Sequence, residues 1–172
     1  AYTKLAPGAA RADLWRYCVL YHHGGVYIDA DCQCTLPLLE WIPPDAELIV
    51  PVDHDSQPSL GLFQAFIAVI PHHPALKHAI DKIVYHVHRR QHWNCIFDLC
   101  GPRCFGRSLN QHAGRGEQQA WVPNSQVGTT VLLSHKRFRD DSIWHGSVKC
   151  VQAQLYIRRE GPSHRGQHKY IL

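Results

Sequence analysis

Two aspartates stand two residues apart in Asp29-Ala30-Asp31, directly after the aromatic and β-branched run Val26-Tyr27-Ile28. Carboxylate oxygens are hard donors. Mg²⁺ and Mn²⁺ commonly take one or two of them from a protein and fill their remaining positions with water and phosphate oxygens. Two acids at the mouth of an apolar strand are costly unless something positive meets them, so the spacing reads as a cation site closing a strand. The two carboxylates are expected to converge where Cys32 to Pro37 leads the chain away. Upstream, Asp13 and Arg16 are three apart and share one face of a helix. That face offers an acceptor and a donor fork to hydroxyls or phosphate. Each pair alone is a weak signal, because a strand end is often merely solvated and a helix-surface ion pair is worth little. The combination is far more specific than its parts.

The elements that must position these groups follow from periodicity. Leu14, Cys18 and Tyr21, with Tyr17, recur at helical spacing, so residues 9–23 read as a helix that Gly24-Gly25 stops. Residues 26–28 form a short buried strand. Residues 47–52 read as a second strand and the nearly continuous apolar run 62–70 as a central one. Residues 75–90 form a helix, with Leu76, Ile80, Ile83 and Val87 on one face. The stretch 93–99 is ambiguous, 103–112 reads as a short helix, 113–117 as loop, and 130–133 and 151–157 as strands. The pattern is α/β, where ligands sit off the carboxyl ends of strands.

A chain of 172 residues, 45% hydrophobic and 19% charged, is expected to form one globular domain over 1–172. No apolar run approaches the roughly 20 residues of a bilayer span. The net charge of +4 suits a small anionic ligand, whereas Lys and Arg are too scattered for a nucleic-acid footprint. Seven cysteines (18, 32, 34, 95, 100, 104, 150) cannot all pair within one chain, and either a secretory lumen (the Golgi included) or the cytoplasm accommodates them. The chain starts at Ala1 and contains no Met, as a processed chain or fragment would.

The run Asp13, Arg16, Gly24, Gly25, Tyr27, Asp29 and Asp31 resembles the glycosyltransferases with a DXD sugar-binding region. These include relatives of yeast initiating mannosyltransferases, bacterial capsular-sugar transferases and the large clostridial glucosylating toxins. The resemblance is strong over 12–31 and looser to about 105, through Phe66-Ile67-Ala68, His73-Pro74 and Gly101-Pro102. It implies a GT-A-type, Rossmann-like nucleotide-sugar-binding sandwich, a Mn²⁺ or Mg²⁺ cofactor, a UDP- or GDP-hexose donor, and a glycan, lipid or protein acceptor, with retention at the anomeric carbon. Asp13 and Arg16 would hold the donor sugar, Gly25 and Tyr27 would line the pocket, and Asp29 would touch ribose or sugar and metal. Asp31 would ligate the metal directly. Catalysis would rest on Asp29, Asp31 and Arg16. For a third metal ligand, His168 in His168-Lys169-Tyr170 is the nearest match, with His135, His145 and His164 as alternatives. The family's first strand normally lies well upstream of the Asp-x-x-Arg helix, whereas only twelve residues precede Asp13 here. Either the chain is truncated or the base pocket is built differently. The family often carries Asn in the stretch that here reads Leu62-Phe63-Gln64-Ala65.

Two other readings stay open. Cys32-x-Cys34 with Cys95, Cys100 and Cys104 could form a structural zinc or disulfide-stabilised module, although Cys-x-Cys is poorer than the usual zinc spacing. A non-catalytic relative that binds carbohydrate or a protein partner would also fit. The histidines of 78–92 (His78, His86, His88, His92) read as a solvated helix face, and Trp15, Trp41, Trp93, Trp121 and Trp144 as core or pocket wall.

Overall fold

The computed structural model describes residues 1–30, 37–38, 42–53, 60–134, 147–150 and 155–158. A short 3₁₀ turn (Tyr2–Lys4) leads into α1 (Gly8–His23), followed by β1 (Gly25–Ile28), β2 (Leu48–Asp53), β3 (Gly61–Leu62), β4 (Phe66–Val69), α2 (Pro74–Arg89), α3 (Ile96–Leu99) and α4 (Pro102–His112). Strands β5 (Ser125–Val127) and β6 (Thr130–Ser134) complete the main sheet, and β7 (Ser147–Cys150) pairs with β8 (Leu155–Arg158) in a separate two-stranded sheet. The α/β class expected from the sequence is the class observed. The sheet is mixed, in the order β1-β4-β2-β6-β5 with β3 also on β2, and β2·β6 is its parallel pair.

Strand side chains alternate between the two faces of a sheet, and the core divides accordingly. Tyr27, Leu48, Val50, Val52, Ile67, Val69 and Leu132 point to the face covered by α1, α2 and α4. Ile49, Phe66, Ala68 and Leu133 point to the other, where Leu38, Ile42 and Ala46 pack. Helix α1 buries Ala10, Leu14, Tyr17 and Leu20 at three- and four-residue spacing, with Asp13 and Arg16 on the same face. It ends at Gly24, whose φ of +65° suits glycine and whose Cβ would lie 2.6 Å from the Pro71 nitrogen. The Gly-Gly turn therefore serves both as a helix stop and as a close crossing over the end of β4.

The run 62–70 is not one continuous strand. Val52 pairs with Leu62, but Ile49 pairs with Ala68, so three more residues lie on the β3–β4 side than on β2. Phe63-Gln64-Ala65 form an excursion, a bulge larger than the usual single residue. The excursion leaves both flanks apolar and paired to the same strand, and the hydrophobic pattern carries no mark of it. Helix α4 packs on α2 and against β3. Gly106 of α4 passes so near the chain before β3 that a Cβ there would sit 1.8 Å from the Leu60 carbonyl oxygen.

Candidate functional site

The site forms where α1, the end of β1 and the 63–65 excursion meet. Tyr27 and Asp29 are two apart, so the pleat itself sets them on one face, and the Tyr27 hydroxyl donates to Asp29 Oδ1 at 2.6 Å. Tyr27 faces α1, which brings Arg16 over its ring at 4.6 Å from guanidinium carbon to centroid. The Arg16 guanidinium is gripped from three sides. It reaches Asp13 Oδ1 at 3.1 Å and Asp29 Oδ1 at 3.3 Å, and donates to the Gln64 carbonyl at 2.9 Å. The i, i+3 pair is not a solvated helix-surface ion pair but buried, with Asp13 7% and Arg16 4% exposed. Of the expected residues, Asp13, Arg16, Tyr27 and Asp29 are brought together, while Gly25 stands at the opposite end of β1. Asp31 and His168 lie outside the described residues, as do His135, His145, His164, Trp41, Trp144, Cys32 and Cys34.

Gln64 is the joint of this assembly. Its side-chain amide donates to the Tyr17 hydroxyl and, at 3.1 Å, to the Cys100 carbonyl. Its own carbonyl holds Arg16, and the neighbouring Ala65 carbonyl accepts the Asp29 amide N–H at 2.9 Å. The excursion thus fixes both Arg16 and Asp29 through main-chain oxygens. Tyr17 is fully buried against the Phe105 ring, with centroids 5.0 Å apart. Cys100 closes the cluster from the far side, its thiol donating to Asp13 Oδ2 at 3.4 Å. Sequence reasoning did not reach Tyr17 or Cys100 as site residues. Tyr17 carried a signal, since it lies four residues after Asp13 on the same helical face. Cys100 carried none, being brought in from the C-cap of α3.

The charges respond to burial. Asp13 is pushed up to about 7, because desolvation outweighs the opposing pull of Arg16 and the Cys100 thiol. Burial works against the charge of Arg16, yet the Asp13 and Asp29 carboxylates overturn it and its pKa lies above the usual value. Burial also drives the Tyr17 hydroxyl and the Cys100 thiol upward, so both stay protonated donors. One N–H of the fork, Arg16 Nε, is buried with no hydrogen-bond partner among the described residues. Such an orphan costs about 1–3 kcal/mol unless an oxygen from outside the described residues meets it.

The thiolate and imidazole alternatives fare differently in the structure. Cys100 and Cys104 are buried free thiols and Cys95 takes a contact from Arg103 Nη2 at 2.9 Å, so these three do not form a metal cage. Among the described residues no group of three metal-ligating side chains converges. The histidines of α2 are not one solvated face, because His86 is buried with Nδ1 3.1 Å from the Leu99 carbonyl. His73 is buried too and caps α2, its Nδ1 accepting the Ala75 N–H at 3.2 Å. Trp121 is core rather than pocket wall, 2% exposed, with its indole N–H on the Gly106 carbonyl.

Residues 1–48 match the family model described as a glycosyltransferase sugar-binding region containing a DXD motif. The chain is 36% identical over 91 residues to inositol phosphoceramide mannosyltransferase 1 of Schizosaccharomyces pombe, covering 52% of this chain and 27% of that protein. It is 32% identical over 97 residues to the putative glycosyltransferase HOC1 of Saccharomyces cerevisiae, covering 48% of this chain and 24% of that one. It therefore spans about a quarter of the length of these curated relatives. Among solved structures, the PaToxG glycosyltransferase aligns with a TM-score of 0.49 and 24% identity, over 60% of this chain and 35% of the other. Over residues 1–48 the chain is thus similar to the DXD-containing sugar-binding region of glycosyltransferases.

Proposed function

We propose that the chain is the donor-binding core of a metal-dependent, GT-A-type hexosyltransferase that moves a hexose from a UDP- or GDP-hexose to a hydroxyl acceptor with retention of configuration. The observation that supports this most is the buried Arg16, set between Asp13 and Asp29 over Tyr27 at the carboxyl end of β1, inside the stretch that matches the sugar-binding region.

The donor set agrees with a hard divalent cation. Asp29 presents carboxylate oxygen at the strand end and is oriented there by the Tyr27 hydroxyl and the Ala65 carbonyl. Mn²⁺ or Mg²⁺ needs only one or two protein carboxylates when phosphate and water supply the rest. In this reading Asp29 and Asp31 hold the ion, with His168 as a third ligand. A bound cation supplies Lewis-acid neutralisation of the charge left on the departing diphosphate. The chain's own residues do the positioning. Arg16 and Asp13 take the sugar hydroxyls, the Arg16 fork as donor and Asp13 as acceptor. The Tyr27 ring supports the fork from below. Because Gln64 and Tyr17 lock the fork before a ligand arrives, little reorganisation remains when charge develops.

The test is calorimetric titration of UDP- and GDP-hexoses into the protein with Mn²⁺, with Asp31→Asn in parallel. Binding that needs the metal, and that falls at least tenfold in a folded Asp31→Asn protein, is expected. Donor binding that persists unchanged in excess chelator would overturn the metal-site assignment. Donor binding without turnover on any hydroxyl acceptor would favour the non-catalytic alternative.

A further inference from the structure

A corner of the molecule outside the Arg16 cluster carries its own chemistry. Three of the six large apolar side chains exposed among the described residues lie within the stretch 85–97: Tyr85 at 52%, Trp93 at 47% and Phe97 at 51%. All three belong to the segment in which the last turns of α2 lead into α3. The Tyr85 and His86 rings lie 6.3 Å apart and the His86 and His92 rings 4.6 Å apart, and Trp93 follows directly. The corner is built rather than frayed. Arg90 caps α2 in the left-handed region, its N–H and that of Gln91 bond to the His86 carbonyl, and Cys95 N–H bonds to the His92 carbonyl.

The charge at this corner is one-sided. Arg89 lies over the Tyr85 ring at 5.9 Å, and neither Arg89 nor Arg90 has a carboxylate partner among the described residues. The acids nearest in sequence are already taken. Asp81 pairs with Lys77, and Asp98 pairs with Arg103 and Arg107. Amphipathic aromatic rings flanked by unpaired arginines fit the polar–apolar boundary of a lipid layer, where the rings enter the headgroup region and the guanidinium groups meet phosphate. Two unpaired arginines are too few for a nucleic-acid backbone track.

We propose that this corner docks the protein on an anionic lipid bilayer surface, with Trp93 and Phe97 in the interfacial layer and Arg89 and Arg90 against lipid phosphates. The contact is peripheral and reversible, as two basic residues and a few rings dictate. It stands independently of the donor reading. Its consequence is one of place: Cys100, whose thiol meets Asp13, follows Phe97 by about one helical turn, so docking holds the Arg16 cluster beside the membrane.

Vesicle flotation of the whole chain tests this without any enzyme assay. The expected result is binding to vesicles of about one-third phosphatidylserine and little to pure phosphatidylcholine, with release at about 0.5 M salt. Arg89→Glu/Arg90→Glu and Trp93→Ser/Phe97→Ser should each cut partitioning about tenfold while circular dichroism stays unchanged. A charge-matched control on exposed positions elsewhere, Lys4→Glu/Arg11→Glu, should keep its binding. Equal binding to neutral and anionic vesicles, or an equal loss in the control, overturns the proposal. So does a concentration-dependent dimer that Trp93→Ser dissolves, which would assign the corner to a second copy of the chain.

Discussion

Replacing Gln64 by leucine isolates what the 63–65 excursion does. The side chain is buried, and its amide donates to the Tyr17 hydroxyl and to the Cys100 carbonyl at 3.1 Å. Leucine has nearly the same volume, so the change removes two hydrogen bonds and opens little cavity. Each neutral buried bond contributes about 1 kcal/mol net. The Cys100 carbonyl keeps a weaker donor in the Tyr17 hydroxyl at 3.4 Å, which limits the desolvation penalty. The expected cost is therefore about 2 kcal/mol, or a fall of roughly 4–8 °C in melting temperature for a chain of this size. Urea titration measures it, with Gln126→Leu as control. That side chain is exposed and donates to the Gly128 carbonyl at 2.8 Å, and its loss should stay within about 0.5 kcal/mol. The second readout is donor affinity. The main-chain oxygens of Gln64 and Ala65 hold Arg16 and Asp29, so a loosened excursion should weaken metal-dependent donor binding in protein that is still fully folded. A Gln64→Leu protein within about 0.5 kcal/mol of the parent would refute the bracing role. Unchanged donor affinity despite lost stability would confine Gln64 to the core.

Three further outcomes follow from the same geometry. Asp13 is held at about 7 by burial, above its ordinary value of 3.8, so its contribution to stability is complete below about pH 4 and is lost as pH rises through 7. Urea titrations at several pH values should therefore show Asp13→Asn gaining on the parent by more than about 1 kcal/mol between pH 5 and 8; a trend in the opposite direction would show that the pairing with Arg16 dominates. Gly106→Ala should cost about 3 kcal/mol in thermal or urea unfolding, because its Cβ meets the Leu60 carbonyl at 1.8 Å, whereas Gly116→Ala, with nothing within 4 Å, should be near neutral. Brief alkylation followed by peptide mapping should label exposed Cys18 and leave buried Cys100 and Cys104 protected until the chain unfolds; early labelling of Cys100 would contradict its place against Asp13.

The α1–β1 unit was legible in the sequence because its signals are local. Helical spacing from Leu14 to Tyr21, a Gly-Gly stop and a β-branched strand all act within a turn or two of each other, and the Asp13–Arg16 and Tyr27–Asp29 pairs inherit their geometry from helix and pleat. What escaped is non-local. The excursion at 63–65 is set by how β2 pairs on either side of it, and hydrophobic periodicity cannot register three extra residues within an apolar run. Strand β5 went unread because Ser125-Gln126-Val127 is too short and polar to stand out, and it exists because β6 offers it a partner. His86 and His88 look alike in sequence, yet the Leu99 carbonyl gives only the former a reason to be buried. The burial of the Asp13–Arg16 pair was equally hidden, since nothing within α1 announces that the Gln64 carbonyl and the Cys100 thiol will close over it.

That closure bears on what the cluster is for. Desolvating a guanidinium and two carboxylates costs several kcal/mol per ion, and an apolar replacement of similar volume is often no less stable. Stability alone therefore gives no reason to keep Arg16 in this position. What the arrangement secures is direction. Asp13 comes from α1, Asp29 from the end of β1, the Gln64 carbonyl from the excursion and the Tyr27 ring from the sheet face, and together they leave the guanidinium one orientation. Removing Arg16 takes from the buried Asp13 its ion-pair partner, and removing Asp13 or Asp29 shifts the load onto the other, so the cluster behaves as a unit in which single substitutions are not additive. A side chain held so firmly, yet left with one N–H unpartnered among the described residues, is organised for a group not drawn from those residues. Its position at the carboxyl end of a strand, beside an oriented carboxylate, is where an anionic ligand and its cation can be met together.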